Sequence, residues 1–197
     1  MKDHNELPML LAIRRDEPET ADQAIMRATE RARSAGMRLA GVLQQNSRRA
    51  GKKKCDMDLV DLASGKVIRI SEDRGEMSRG CRMDWNAVTL AAAAVEDTIR
   101  NDVVDLLVIN KFGKAEEDGG GMRDAIAAAI EHAVPVLLSI GLISIGSLTD
   151  FAGDFCLVAD AEDPVIDDWL SARLLQAGKT EGDVLTACVV GAVAEPG

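Results

Sequence analysis

The chain of 197 residues is 47% hydrophobic and 28% charged, which fits one compact domain and excludes a disordered or low-complexity chain. Aromatic residues make up only 3% and Tyr is absent, so the chain lacks the stacking surfaces of single-stranded nucleic-acid binders. The formal net charge of −10 argues against nucleic acid and against anionic membranes as partners.

The charge is unevenly distributed along the chain. Residues 1–82 contain 17 Lys and Arg against 13 Asp and Glu, whereas residues 83–197 contain 6 against 20. The partner that we expect is a small anionic ligand, and we expect it to bind the first half of the chain.

The cysteines and the N-terminal residues indicate a reducing compartment. Cys55, Cys81, Cys156 and Cys188 are far apart and form no CxxC pair, which predicts free thiols and neither a zinc knuckle nor a thioredoxin motif. The first residues are too polar for a secretion signal, and no apolar run reaches the length of a membrane span. We therefore expect a cytoplasmic protein with no membrane partner.

The chain opens with a β-α-β pattern. Met9–Ile13 is a short apolar run typical of a buried strand, and a helix is predicted from an N-cap at Thr20 to a stop at Gly36. Leu39–Leu43 is the next predicted strand. This is the repeating unit of a parallel sheet.

A β-hairpin interrupts the alternation at about 55–71. It follows a basic run at 48–54, and its strands, Met57–Leu62 and Lys66–Ile70, flank a turn in which Gly65 supplies a positive φ. A loop rich in Gly, Arg and Ser follows at 71–82.

The second half returns to alternating strands and helices. A long helix over 85–101 is predicted to begin at the cap Asp84. The elements predicted after it are a strand at Val103–Ile109, a helix after Gly119–Gly121, a strand at Val134–Ile140, a short helix near 147–152, a strand at Phe155–Ala159 and a helix at Pro164–Gln176.

These elements predict an α/β fold with a doubly wound, mostly parallel sheet and an inserted β-hairpin. We expect a single domain over residues 1–177, followed by an apolar C-terminal tail at 178–197. Val184, Leu185, Val189 and Val190 are too apolar to remain in water, so we expect the tail to pack against the domain or a second copy. A homo-oligomer formed through the tail is therefore a candidate partner arrangement.

The loop after the first strand is unsuited to hold a triphosphate. Loops that cradle phosphate use glycines, so that backbone N–H groups converge on the phosphate, together with a Lys. The stretch Arg14–Thr20 has neither glycine nor Lys, and it carries the three carboxylates Asp16, Glu17 and Glu19. Phosphate transfer at this position is not expected.

Candidate ligand residues follow the strand that ends at Ile109. Asn110 stands where nucleotide-hydrolysing enzymes carry an acidic residue for Mg²⁺. Lys111 and Lys114 are positioned to meet a phosphate or oxyanion, with ordinary surface charge as the alternative. We expect Glu116 and the neighbouring Glu117 to be solvated.

Two segments that flank the hairpin combine thiols with arginines. The candidate ligand-binding residues there are Cys55, Asp56, Arg79, Gly80, Cys81 and Arg82. Arg side chains form charge-assisted forks with oxyanions, and Gly80 lets backbone N–H groups approach an anion. In the alternative interpretation the thiols are buried and the arginines pair with Asp56, Asp58 or Asp84. No catalytic residue and no metal ligand is assigned from spacing.

Taken together, the segments Cys55–Leu62, Ser78–Arg82, Asn110–Lys114 and Arg123–Ala127 resemble a bacterial family of unknown function. Its members are often encoded beside molybdate-transport and nitrogen-fixation genes, and the resemblance covers about residues 9–170. That family is similar in turn to nucleoside-triphosphatases of the thermophilic phosphohydrolase type, which implies a P-loop-like α/β fold, here in a degenerate form.

The resemblance implies a role in molybdenum handling. The leading hypothesis is a cytoplasmic accessory protein that binds an oxyanion, such as molybdate or tungstate, or a phosphate-bearing cofactor such as a nucleotide, without hydrolysing it. One alternative is a divergent nucleotide-binding phosphohydrolase that uses Lys111, Lys114 and Glu116. Another is an interaction protein with no small ligand, which uses its apolar tail.

Overall fold

The computed structural model describes residues 7–47, 56–71 and 83–179, which form an α/β fold, as predicted. The elements in chain order are β1 Leu10–Arg14, α1 Pro18–Ser34, β2 Leu39–Ser47, β3 Asp56–Asp61, β4 Val67–Arg69, α2 Trp85–Asn101, β5 Leu106–Phe112, α3 Lys114–Glu117, α4 Arg123–Glu131, β6 Val136–Ile140, α5 Ile145–Ala152, β7 Cys156–Ala159 and α6 Val165–Gln176.

The described strands form one sheet in the order β4-β3-β2-β5-β6-β1-β7. The five strands from β2 to β7 in this order are parallel, and the hairpin β3–β4 extends the sheet in antiparallel fashion beyond β2. From β1 the chain crosses to β2, which lies on one side of β1 in the sheet. Strand β7, the last in the chain, lies beside β1 on the other side. In such sheets ligands bind in the crevice at the carboxyl ends of the strands, beside the point where the order reverses.

Helices cover both faces of the sheet. Helices α1 and α6 pack on one face, where Trp169 is fully buried and its Nε1 donates a hydrogen bond to the carbonyl of Pro8 at 2.7 Å. Helices α2, α4 and α5 pack on the other face through small alanines and through Val95, Ile126 and Leu148. Within the described ranges, every helix is too short or too polar to cross a membrane.

Local signals explain several boundaries. Asp84 caps α2 as predicted, because its side chain accepts a hydrogen bond from the backbone N–H of Ala87 at 3.1 Å. Helix α1, however, begins at Pro18 rather than after Thr20. A proline fits the first helical position, since its missing N–H would have no partner there. The loop between β1 and α1 therefore has only three residues, 15–17.

Strand β5 lies three residues later than predicted. Asp105 accepts hydrogen bonds from the backbone N–H of Arg38 at 2.7 Å and from its guanidinium at 2.6 and 2.9 Å, which fixes the chain just before the strand begins. The hydrogen-bonded guanidinium also holds the pKa of the Asp105 carboxyl below its ordinary value. At its other end, β5 continues through a bulge to Phe112.

Strand β2 is four residues longer than predicted because the hairpin pairs with it. It pairs with β5 from Leu39 to Val42, and with β3 as far as Ser47 opposite Asp56. Gly41 lies where β2 passes closest to β5. Its φ is +110°, and a Cβ added there would lie 1.9 Å from the carbonyl oxygen of Val108.

Candidate functional site

The carboxyl edge of the sheet holds an ion pair where a phosphate-cradling loop would lie. The guanidinium of Arg15, directly after β1, donates to the carboxylate of Asp22 on the first turns of α1, with one Nη2–Oδ2 contact at 3.4 Å. A further Nη1 contact reaches Ser139 Oγ on β6 at 3.5 Å. Arg15 thus uses its guanidinium within the protein.

Asn110 joins the same group from a β-bulge at the end of β5. Its Nδ2 donates to Asp22 Oδ1 at 3.3 Å, and its Oδ1 accepts from the backbone N–H of Gln44 on β2 at 3.4 Å. Its backbone carbonyl accepts from the hydroxyl of Ser139, a residue with no exposed surface. We call Arg15, Asp22, Asn110 and Ser139 the edge network. Bulges of this kind often lie beside binding sites, because they redirect a side chain.

The edge network occupies the position at which a phosphate-cradling loop would lie. Such a loop offers converging backbone N–H groups to the phosphate, whereas the loop 15–17 is short and Pro18 removes one helix N–H. Arg15 is already paired with Asp22, and Asn110 already hydrogen-bonds inside the protein. In the described residues, the β1–α1 position therefore lacks the features that cradle a triphosphate.

Among the described residues of this edge, Lys111 is available to an anion. It lies in the bulge beside Asn110 with an exposed side chain, and no carboxylate pairs with it in the described part of the chain. Gly113 leaves room for its methylene stem, since a Cβ on Gly113 would lie 3.3 Å from Lys111 Cε. Lys111 can therefore offer its ammonium group to an anion.

Lys114 has a different environment, although it is only three residues away. Its Nζ lies 2.5 Å from Asp118 Oδ1 and 3.9 Å from Glu117 Oε2 on the exposed side of α3. The hydrogen bond to Asp118 raises the pKa of Lys114. These contacts favour the surface-charge interpretation of Lys114.

The expectation that Glu116 is solvated is wrong. Glu116 is buried, and its carboxylate accepts hydrogen bonds from the backbone N–H groups of Gly113 at 2.9 Å and Met122 at 3.0 Å. Gly121 has a φ of +57°, and a Cβ there would lie 2.1 Å from Glu116 Oε1. Glu116 thus fixes the turn between α3 and α4, and both oxygens serve the backbone.

Asp56, predicted as a ligand residue, is buried at the start of β3. Arg69 on β4 places its Nη1 3.1 Å from Asp56 Oδ2 and also binds Asp58 through Nε. The hydrogen bond to Asp58 and the charges of both aspartates raise the pKa of Arg69. This pairing supports a structural role for both aspartates within the hairpin.

The two ends of the hairpin meet where the next helix begins. The backbone N–H of Met57 donates to Ser71 Oγ at 3.0 Å, Ser71 forms a β-bridge with Met83, and the N–H of Asp84 donates to Ile70 at 2.8 Å. The predicted site residues Cys55, Arg79, Gly80, Cys81 and Arg82 lie outside the described residues. That the two thiols approach each other stays a prediction.

Sequence reasoning missed Arg15, Asp22 and Ser139. The available signal was Ser139, a hydroxyl inside an otherwise apolar parallel strand, because such a buried group requires a hydrogen-bond partner. The other two carry charges that are common on surfaces, and nothing in their spacing indicates that they meet.

The fold is similar to that of a protein whose structure has been solved. The crystal structure of THEP1 from the hyperthermophile Aquifex aeolicus superposes with a TM-score of 0.55 at 15% sequence identity, covering 83% of this chain and 96% of that one. At this identity the similarity establishes the α/β fold of the P-loop type and nothing about activity.

Sequence comparison gives two further matches. Over 158 residues the chain is 32% identical to the molybdenum import ATP-binding protein ModC 2 of Bradyrhizobium diazoefficiens; the match covers 79% of this chain but 18% of that protein, so the chain spans less than a fifth of its relative's length. The sequence profile of a family described as "Protein of unknown function (DUF2478)" matches residues 10–169. The chain therefore belongs to the DUF2478 family, whose function is not known.

Proposed function

We propose that this chain is a non-hydrolysing accessory protein that binds a small oxyanion, molybdate first among them, at the carboxyl edge of its sheet. The observation that carries the proposal is the edge network. In the described residues, an ion pair between Arg15 and Asp22 lies where a phosphate-cradling loop would lie in a scaffold of this type, which supports binding without hydrolysis.

Charge and topology favour an anion at this edge. Lys111 projects from the bulge with no carboxylate partner among the described residues. The hairpin ends are hydrogen-bonded to each other at Met57 and Ser71, and the segments that begin and end there carry Cys55, Arg79, Gly80, Cys81 and Arg82 in the sequence. In this proposal Arg79 and Arg82 form charge-assisted forks with the oxyanion, and Lys111 adds a third positive charge.

The choice of molybdate draws on the relative and on the family resemblance. The protein that is 32% identical over most of this chain is named for molybdenum import. The proposed role in molybdenum metabolism is cytoplasmic, which agrees with four widely spaced cysteines that form no CxxC pair. A tetrahedral oxyanion also suits arginine, because the guanidinium donates charge-assisted hydrogen bonds.

Nucleotide binding is the second candidate, favoured by the P-loop-type fold and by the relative's description as ATP-binding. The loop of three residues between β1 and α1 counts against it, because it is too short to surround a triphosphate. An interaction protein without a small ligand is the third possibility, and it predicts no binding of either ligand.

Titration calorimetry at low ionic strength is the experiment that tests the proposal. Molybdate and tungstate are expected to bind saturably, and Arg79→Ala, Arg82→Ala and Lys111→Ala are each expected to weaken binding about tenfold or more, as the loss of a charge-assisted contact implies. Lys114→Ala is the matched control: it removes an equal charge from a lysine that pairs with Asp118, and binding should stay within twofold.

Two results of the titration would contradict the proposal. One is heat from ATP but none from molybdate or tungstate, which would favour the nucleotide-binding candidate. The other is oxyanion binding that weakens equally in Lys114→Ala and Lys111→Ala, because a uniform response indicates a diffuse charge effect rather than a site.

The purified protein is expected not to hydrolyse ATP or GTP. Among the described residues, the β1–α1 position has a short loop, Pro18 and a paired Arg15 in place of the backbone N–H groups and lysine that position a terminal phosphate. Phosphate release should equal that of a buffer blank. Turnover above the blank that disappears in Lys111→Ala would show that the divergent-enzyme alternative is right.

A further inference from the structure

The opposite edge of the sheet, at the amino ends of the strands, carries an open groove of about 1560 Å³. It runs beneath the segments that lead into β1, β5, β6 and β7 and past the ends of α4, α5 and α6. Its lining includes Pro8, Ile130, Pro135, Phe151, Phe155 and Gln176.

The groove is lined largely by apolar side chains. Phe155 is 52% exposed at its rim, and Pro8, Ile130, Pro135 and Phe151 continue the apolar surface across the edge. Asp105, Asp150, Asp154 and Arg173 also line the groove, among the more numerous apolar residues. An apolar groove with a polar rim is typical of a surface that another segment or partner covers.

The last residues of the chain that the structure describes lie at this rim. Helix α6 ends at Gln176, and Gly178, with a φ of +66°, turns the backbone as the N–H of Lys179 donates to Leu174 at 2.9 Å. Gln176 lines the groove, so residues 180–197, which lie outside the described residues, continue from its edge.

The N-terminal and C-terminal segments next to the groove differ in composition. Leu7 and Pro8 also line the groove, but the residues before them, 1–6, are mainly polar and charged. The C-terminal segment 184–193 contains five large aliphatic residues, Val184, Leu185, Val189, Val190 and Val193, and no charge. It is the segment whose chemistry matches the groove.

We propose that residues 184–193 bind in the amino-edge groove of their own chain. The four residues between Lys179 and Val184 span up to about 14 Å when extended, and Gln176 at the end of α6 lines the same groove as Phe155. Attachment to the same chain gives the segment a local concentration that a second copy does not match. The inference stands apart from the oxyanion site at the other edge.

Hydrogen exchange on the full chain tests this proposal. The amides of 184–193 are expected to exchange at least tenfold more slowly than in a free peptide of the same sequence. Phe155→Asp, placed on the groove, should return them to the peptide rate. Ile143→Asp is the matched control: Ile143 is 96% exposed at the carboxyl edge, and its replacement should leave the exchange unchanged.

Thermal unfolding of paired variants gives a second, independent readout. Val190→Asp and Phe155→Asp should each lower Tm, and the double variant should lower it by no more than the larger single effect, since both remove the same contact. Fully additive shifts, or amides of 184–193 that exchange at the peptide rate in the wild type, would overturn the proposal. So would a dimeric sedimentation mass that becomes monomeric in Val190→Asp, because the segment would then bind a second copy.

Discussion

Replacing Gly41 with alanine is expected to lower the free energy of unfolding by about 4 kcal/mol, combining backbone strain with overpacking in the centre of the sheet. The added Cβ would lie 1.9 Å from the carbonyl oxygen of Val108 and 2.8 Å from its carbonyl carbon. Val108 pairs with Gly41 and is fully buried, so neither strand can retreat without breaking the β2–β5 ladder. Urea denaturation followed by circular dichroism measures the loss.

Gly65 provides the matched control for this substitution. It also has a positive φ, +71°, but it lies in the exposed hairpin turn and an added Cβ would meet nothing within 4 Å. Gly65→Ala should therefore cost only the backbone strain, about 1 kcal/mol. Equal losses in the two variants would mean that β2 adjusts freely and that the close approach to Val108 does not constrain the sheet.

A Glu116→Ala variant is expected to lose about 3 kcal/mol of stability. Its carboxylate accepts from two buried backbone N–H groups, those of Gly113 and Met122, and removing it leaves both without their acceptor. Glu116→Gln keeps one acceptor oxygen and should recover roughly half of the loss. The measurement is chemical denaturation at neutral pH.

Asp118→Ala is the control for Glu116, because Asp118 lies at the end of the same short helix but is exposed and pairs with Lys114. Its stability should be close to that of the wild type. If Glu116→Ala kept full stability while the protein lost a phosphohydrolase activity, Glu116 would be a catalytic group, and the structural role argued from its two hydrogen bonds would be wrong.

Local signals predicted most of the fold. The Asp84 cap and the Gly65 turn depend on neighbours within three residues, and both are found where the sequence placed them. The parallel α/β architecture followed from the alternation of apolar runs with amphipathic segments. The observed strand boundaries differ from the predicted ones where a residue distant in sequence makes a contact. Arg38 binds Asp105, so β5 begins after it, and pairing with β3 extends β2 to Ser47.

The candidate site was less accessible from the sequence. The lack of glycine and lysine after the first strand was visible, and so were the lysines after Ile109. The residues that occupy the crevice could not be predicted, because Arg15 and Ser139 are 124 residues apart and meet only through the parallel pairing of β1 with β6. Charge alone also does not separate Lys111 from Lys114, since their difference depends on where Asp118 lies.

The extension of β2 beyond its pairing with β5 gives the crevice unequal walls. Residues 43–47 pair with β3 alone in the described part of the sheet, so the β2–β3 ribbon extends roughly 16 Å beyond Val42, the last residue that β2 pairs with β5, whereas β5 ends at Phe112, three residues past Ile109. A tilt of this ribbon about Val42 would widen or narrow the crevice while leaving the buried strands in register. For the oxyanion site that we propose, a longer or shorter ribbon would therefore change the height of one wall of the crevice and leave the core of the sheet intact.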